Sequence, residues 1–275
     1  MSDSPTPVLI DTHCHLTYDE LATDIRGVLA RAAEAGVGRL ITIATDVSDA
    51  RRAIELLDEF PQVSMAAGIH PHQAAKVNDE HLQALADLHH GAWSLPFGIE
   101  RVVAIGECGL DFHYDFAPKD TQERVFRAQL DLAIACLRPV IIHARKSEDA
   151  VIAILRDYPA LGGRVVFHCF SGDRKMARRA LDDHHWLSFT GVVTFKNGAE
   201  VLDAATYAPI ERVMVETDAP YLTPEPHRRH FPNEPRFVAE TARKLAHARK
   251  MTLDEFAAAT TANAERFFSF GKAKE

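Results

Sequence analysis

Residues 8–15 read Val8-Leu9-Ile10-Asp11-Thr12-His13-Cys14-His15. An apolar run leads straight into two histidines spaced two apart. Side chains alternate faces along a strand, so His13 and His15 leave its end on one side. Two imidazoles on one face are half of a divalent-metal site. The same arrangement returns along the chain. Gly68-Ile69-His70-Pro71-His72 closes the run Val63–Gly68, and Glu107-Cys108-Gly109-Leu110-Asp111 follows Val102–Gly106. His143 ends Val140–His143, His168 ends Val165–His168, and Glu216-Thr217-Asp218 ends Arg212–Glu216.

Arg39–Ile43 and Leu187–Thr190 complete eight predicted strands. Amphipathic helical patterns separate them: Leu21–Ala35, Ser48–Glu59, Glu80–His89, Thr121–Cys136, Glu148–Tyr158, Arg174–Asp182 and the shorter Ala199–Ala205. Glu234–Arg249 and Thr252–Phe268 follow the last strand. Ser48 and Asn78 suit helix N-caps, Ser147 followed by two acids suits a helix start, and Gly36 suits a left-handed cap after the first helix. Short strands that are apolar on both faces and alternate with helices call for a parallel sheet covered by helices. Eight such units predict an α/β fold, a single closed (β/α)8 TIM-type barrel over residues 1–275. A doubly wound open sheet is the alternative.

The 275 residues are 47% hydrophobic and 25% charged, an ordinary globular balance. The net charge of −8 argues against non-specific coating of duplex nucleic acid. It leaves room for an enzyme that grips one phosphodiester through metal ions and a few local cations. No apolar stretch approaches the ~20 residues of a membrane span. Met1-Ser2-Asp3-Ser4-Pro5 has neither the basic start nor the apolar core of a secretory signal. Cys14, Cys108, Cys136 and Cys169 form no C-x-x-C pair and read as reduced thiols of a cytoplasmic protein.

In a parallel barrel the carboxyl ends of the strands share one rim, where active sites lie. The donor types there suit two divalent ions (zinc, magnesium or manganese). One partition gives the first ion His13, His15 and Asp218, and the second His143 and His168, with Glu107 bridging. Two ions ~3.5–4 Å apart can polarise an electrophile and activate a water together.

Six stretches, DTHCHL (11–16), GIHPH (68–72), GECGLD (106–111), VIIHAR (140–145), HCFSG (168–172) and ETDAPYL (216–222), together resemble the TatD family of metal-dependent hydrolases, within the amidohydrolase-like barrels. They occur in the family's order and span most of the chain. The resemblance implies a metallo-dependent hydrolase barrel, divalent metals, and phosphodiester hydrolysis as a deoxyribonuclease that trims DNA from an end. It places the family's metal ligands on His13, His15, Glu107, His143, His168 and Asp218. His70, His72 and Arg145 fall on segments that contact the substrate phosphate. The loop His227-Arg228-Arg229-His230-Phe231-Pro232 departs from the family's basic, glycine-containing loop, although Asn233-Glu234-Pro235 is kept.

In the proposed chemistry Asp218 holds and deprotonates the nucleophilic water, with Glu107 beside it. Arg228 and Arg229, on the loop after the last strand, are candidates for gripping DNA phosphates. Other readings stay open. Pro71 could merely shape a turn that exposes His70 and His72. Arg145 could pair with Glu148 or Asp149. Asp111 could orient a ligand or finish a turn, and Glu216 could support the metal site or finish the strand. Arg174-Lys175-Met176-Ala177-Arg178-Arg179 reads as a solvated helix face. His81, His89, His90, His184, His185 and His247 read as surface residues, and Trp93 and Trp186 as packing residues. Two functional alternatives remain: hydrolysis of a small amide, lactone or phosphoester at the same metals, and a non-catalytic, metal-stabilised binding module.

Overall fold

The computed structural model describes residues 8–270. The expectation on Met1–Pro5 and both ends of the 1–275 domain lie outside the described residues. Eight parallel strands pair in chain order. They are β1 (Leu9–Cys14), β2 (Val37–Ala44), β3 (Val63–Ala67), β4 (Val102–Asp111), β5 (Val140–Arg145), β6 (Val165–Phe167), β7 (Trp186–Phe189) and β8 (Val213–Val215). Helices alternate with them: α1 (Asp19–Ala22), α2 (Ile25–Glu34), α3 (Val47–Glu59), α4 (Asp79–His89), α5 (Lys119–Ala135), α6 (Glu148–Leu155), α7 (Arg174–Asp182) and α8 (Ala199–Tyr207). After β8 come α9 (Val238–Ala248) and α10 (Leu253–Phe268). The chain just beyond β8 returns to β1, where the N–H of His15 donates to Ala219 O at 2.7 Å and that of Asp218 to His13 O at 2.9 Å. The fold is a (β/α)8 barrel, and the open-sheet alternative falls.

Two compact units divide the chain. The first runs to Ile41 and adds Cys169–Arg178 and Leu187–Arg266. It holds β1, β8 and α9, and its core includes Leu9, Leu40, Phe189, Val213 and Leu245. The second comprises Thr42–His168, Arg179–Trp186 and the residues from Phe267. It holds β3 to β6, with Met65, Val103, Phe126 and Ile142 in its core.

In the second unit β4 and β5 pair far beyond the predicted end of β4, with Gly109 opposite His143 and Asp111 opposite Arg145. Glu107 therefore stands inside a strand. Gly109 makes that approach possible. Its φ is 140°, and a Cβ there would collide with the carbonyl oxygen of His143.

Several local expectations change. The first predicted helix is two, α1 and α2, because the Thr23 hydroxyl bonds back to Asp19 O at 3.0 Å and Asp24 leaves helical geometry. The N-cap of α3 is Asp46, whose carboxylate accepts the Asp49 N–H at 2.8 Å, and not Ser48. Ser147 stands at the start of α6 as expected, with Glu148 and Asp149 in the first turn, although its hydroxyl donates to Leu110 O and caps nothing. α9 starts at Val238, after a 3-10 turn at Pro235–Phe237. Asn78 does cap α4, in a capping box with His81, and Gly36 takes a φ of 85° after α2.

His89 and His185 are buried, not surface residues. The His89 Nε2–H donates to Ala67 O at 2.9 Å, a bond that by itself favours the protonated ring but is outweighed by burial. Burial pushes its pKa down to about 4, and Arg138 and His90 add to the effect. The unfolded chain takes a proton near pH 6.5 while the native ring refuses it. This stability is present above about pH 6.5 and is lost as pH falls toward about 4, by ~3 kcal/mol in all. His89→Gln is expected to flatten that part of the acid limb, as measured by denaturant titration at pH 7 and pH 4.5. An unchanged slope would remove His89 as a cause.

Candidate metal centre

In the first unit His13 and His15 leave β1 on one side, as the alternation requires, with ring centroids 5.2 Å apart. The Oδ1 of Asp218 lies 3.4 Å from His15 Nε2 and 3.7 Å from His13 Nε2. One ligand atom from each of the three falls within 4.8 Å of the others. Asp218 reaches inward because its backbone is left-handed, with φ 56°, a region that Asp and Asn enter more readily than other side chains. His15 is stacked on Tyr18 at 4.7 Å.

Two side chains hold this geometry. Asp11 is buried, and its carboxylate accepts the Thr217 hydroxyl at 2.6 Å, the Thr217 N–H at 2.9 Å and the His13 N–H at 3.3 Å. It ties the end of β1 to the residue before Asp218. Burial raises its pKa to about 8, against the pull of those donors. Asn233 donates to the carbonyls of Thr217 and Tyr221, on either side of Asp218. Glu216 receives the Cys169 N–H at 2.6 Å and the Thr12 hydroxyl at 3.4 Å, a supporting role rather than a mere strand end.

In the second unit Glu107 is the focus. Its Oε1 lies 2.7 Å from His143 Nδ1, 2.8 Å from His168 Nε2 and 3.3 Å from His70 Nε2. Asp111 Oδ2 lies 2.8 Å from His72 Nε2 and 3.1 Å from His143 Nε2. His143 is thus held between two carboxylates. Burial opposes its charge, yet the bonds to Asp111 and then Glu107 outweigh it and raise its pKa. For Asp111 burial pulls upward, but His143, His72 and the N–H groups of Tyr114 and His113 hold it well below the usual carboxylate range. Burial pushes His70 down to about 4 despite Glu107. His70 Nδ1 accepts the His72 N–H at 3.1 Å, so in the neutral ring the proton sits on Nε2, toward Glu107.

His70, His72 and His143 also form a ligand group of their own, with one atom from each within 4.8 Å of the others. Both readings of Asp111 have a counterpart here: Oδ2 faces two imidazoles, and Oδ1 accepts the N–H groups of the turn at His113 and Tyr114. His70 and His72, read as phosphate contacts, sit among the candidate ligands rather than on a free turn. Imidazoles with carboxylates are a donor set for a divalent cation, and the grouping of His13, His15 and Asp218 could hold one.

Arg145 lies with its guanidinium carbon 4.8 Å over the Tyr114 ring, while Asp149 pairs with Arg179. Arg228 covers the Phe195 ring at 3.9 Å. With Arg229, Lys196 and His227 it lines a separate surface cavity of about 500 Å³. Arg174 and Arg179 carry surface pairs to Asp203 and Asp149, as a solvated face should. Trp186 packs on Phe267 and donates to Gly163 O at 2.9 Å.

Besides Asp11 and Asn233, two positioning residues escape sequence reading. Gln129 holds Ile69 by both its N–H (2.7 Å) and its carbonyl (3.0 Å), directly before His70. Gln122 does the same for Asp111, at 2.8 and 3.1 Å. Both are buried on α5. Their signal was their spacing, which puts them on the apolar face with Val125, Phe126 and Ala133.

A family model described as TatD related DNase matches residues 10–269. YabD of Bacillus subtilis (strain 168), an uncharacterized metal-dependent hydrolase, is 38% identical over 95% of this chain and 99% of its own. A 3'-5' ssDNA/RNA exonuclease TatD of Citrobacter rodentium is 33% identical over 94% of this chain and 97% of its own. The crystal structure of YJJV, a TatD homolog from Escherichia coli K12, superposes with a TM-score of 0.88 at 30% identity, covering 95% of this chain and 98% of that one.

Proposed function

The chain belongs to the TatD-related DNase family of metal-dependent hydrolases, and from that premise we propose that it hydrolyses phosphodiester bonds of DNA, trimming single strands or ends. The observation that carries the reading is the pair of donor groups, His13–His15–Asp218 and the imidazoles gathered on Glu107. The relative named as a 3'-5' ssDNA/RNA exonuclease supports the substrate. In this reading His13, His15, Glu107, His143, His168 and Asp218 hold two divalent ions, zinc, magnesium or manganese, with Glu107 shared. Residues 1–275 then serve as one domain.

Bound divalent ions supply Lewis acidity toward the phosphoryl oxygens and a lowered pKa for water. Asp218 takes the proton of the attacking water, since its carboxylate is partly open and its backbone is fixed by His13 O. Asp111 holds His143 by its Nε2, which orients the ring with Nδ1 on the Glu107 side, where a metal would sit. His70, His72 and Arg145 bind the non-bridging phosphate oxygens. Arg228 and Arg229 hold phosphates further along the strand. No helix among the described residues is long and apolar enough to cross a membrane. The four cysteines form no disulfide there, which suits the cytoplasm.

The test is a nuclease assay on single- and double-stranded DNA after chelation, with Mg²⁺, Mn²⁺ or Zn²⁺ returned singly. End-trimming is expected with metal, none after chelation, and recovery on add-back. A metal-loaded protein that cleaves an amide, a lactone or a small phosphoester but no DNA would replace the substrate. One that cleaves nothing would leave a binding module.

A further inference from the structure

Tyr114 and Phe116 stand on the surface, 42% and 59% exposed, three and five residues beyond the buried end of β4. Their ring centroids are 5.3 Å apart. Each packs on His72, Tyr114 at 5.4 Å and Phe116 at 4.7 Å. The Arg145 guanidinium covers Tyr114 at 4.8 Å. Single exposed rings are common on protein surfaces. Two adjoining rings that carry a guanidinium and abut a histidine cluster make a recognition surface.

The loop that presents them is fixed. Asp111 Oδ1 accepts the N–H groups of His113 at 2.8 Å and Tyr114 at 3.1 Å. Phe112 N–H donates to Arg145 O at 2.9 Å. Gln122 donates to Ala117 O at 2.9 Å, closing the loop from the other end. Rings held this way lose little freedom on binding, which leaves most of the contact energy for affinity.

We propose that Tyr114, Phe116 and Arg145 form a stacking site for one nucleobase of a single-stranded nucleic acid. The site seats the adjoining phosphodiester beside His72 and His143. This rests on the phosphodiester reading above and deepens it. A nucleobase is planar with two apolar faces, the shape that exposed rings accept whatever the base. The Arg145 guanidinium backs the Tyr114 ring and presents its N–H edge to the phosphate next door. A base inside a duplex is already stacked on its neighbours and must first be taken out. The site therefore selects single strands and frayed ends.

The probe is a short single-stranded oligodeoxynucleotide, compared with a series in which each position in turn is abasic. Binding to the full-length, metal-free protein is read by fluorescence anisotropy. One abasic position is expected to weaken binding about 5- to 100-fold, the range of one lost base stack. In the double variant Tyr114→Ala, Phe116→Ala that penalty disappears. Tyr114→Trp, which keeps a ring, retains it and controls for folding. A penalty that persists in the double alanine variant overturns the site, and so does native protein indifferent to every abasic position. DNA cleavage with metal but no base penalty sinks the stacking site alone. Base-dependent binding without cleavage under any metal supports the site and sinks the phosphodiesterase reading.

Discussion

Asp218→Asn yields a folded protein that no longer turns over substrate. The backbone at residue 218 is left-handed, with φ 56°. Asparagine enters that region at least as readily as aspartate, so the substitution adds little strain. The bonds that place the residue, from its own N–H to His13 O and from the Tyr221 N–H to its carbonyl, are backbone bonds and survive. What is lost is the carboxylate charge beside His13 and His15. An amide cannot take a proton from water at neutral pH, and loss of a general base costs about 10²–10⁴ in rate. Loss of a charged ligand adds to that. Hydrolysis rate, melting temperature and bound metal, measured together, check it. Activity within about an order of magnitude of the native protein would remove Asp218 from the chemistry.

The second large effect belongs to Glu107→Gln. One oxygen of Glu107 faces three imidazoles, His143, His168 and His70, within 3.3 Å. An amide is neutral and presents one acceptor where a carboxylate presents two. Partners that merely support a ligand cost about 10- to 100-fold in metal affinity or activity when removed. A shared ligand is expected to cost more than about 100-fold in activity and to strip metal from the purified protein. The Gln oxygen still accepts one imidazole N–H, so the fold survives at a cost of about 1–3 kcal/mol. Elemental analysis of the dialysed variant reads the metal loss directly. Full metal occupancy with reduced activity would make Glu107 a catalytic group without a ligand role.

Legibility in the sequence followed the range of the forces involved. The alternation at Asp11-His13-His15 is local, set by strand geometry within a few residues, and it held. So did the strands of apolar, β-branched residues, because burial on both faces leaves them no polar alternative. The split between α1 and α2 was hidden, since the Thr23 hydroxyl competes for a helical carbonyl without disturbing the apolar pattern. His89 looked like a surface residue because nothing near it in sequence shows that Ala67 O waits for its proton. Gln122 and Gln129 looked like helix polarity for the same reason. Their partners, Asp111 and Ile69, lie 11 and 60 residues away.

By itself the sequence determined the alternating architecture, the donor residue types and their recurrence along successive strands, because each depends on periodicity and on chemistry carried by neighbours. Only the tertiary structure decided that His70 and His72 join His143, that Asp111 grips two rings, and that Gly109 lets β4 reach His143 closely. It alone brought the Arg145 guanidinium over the Tyr114 ring and both Tyr114 and Phe116 against His72. These are contacts between residues distant in the chain. Their distances follow from how strands register and loops close, and no local pattern encodes them.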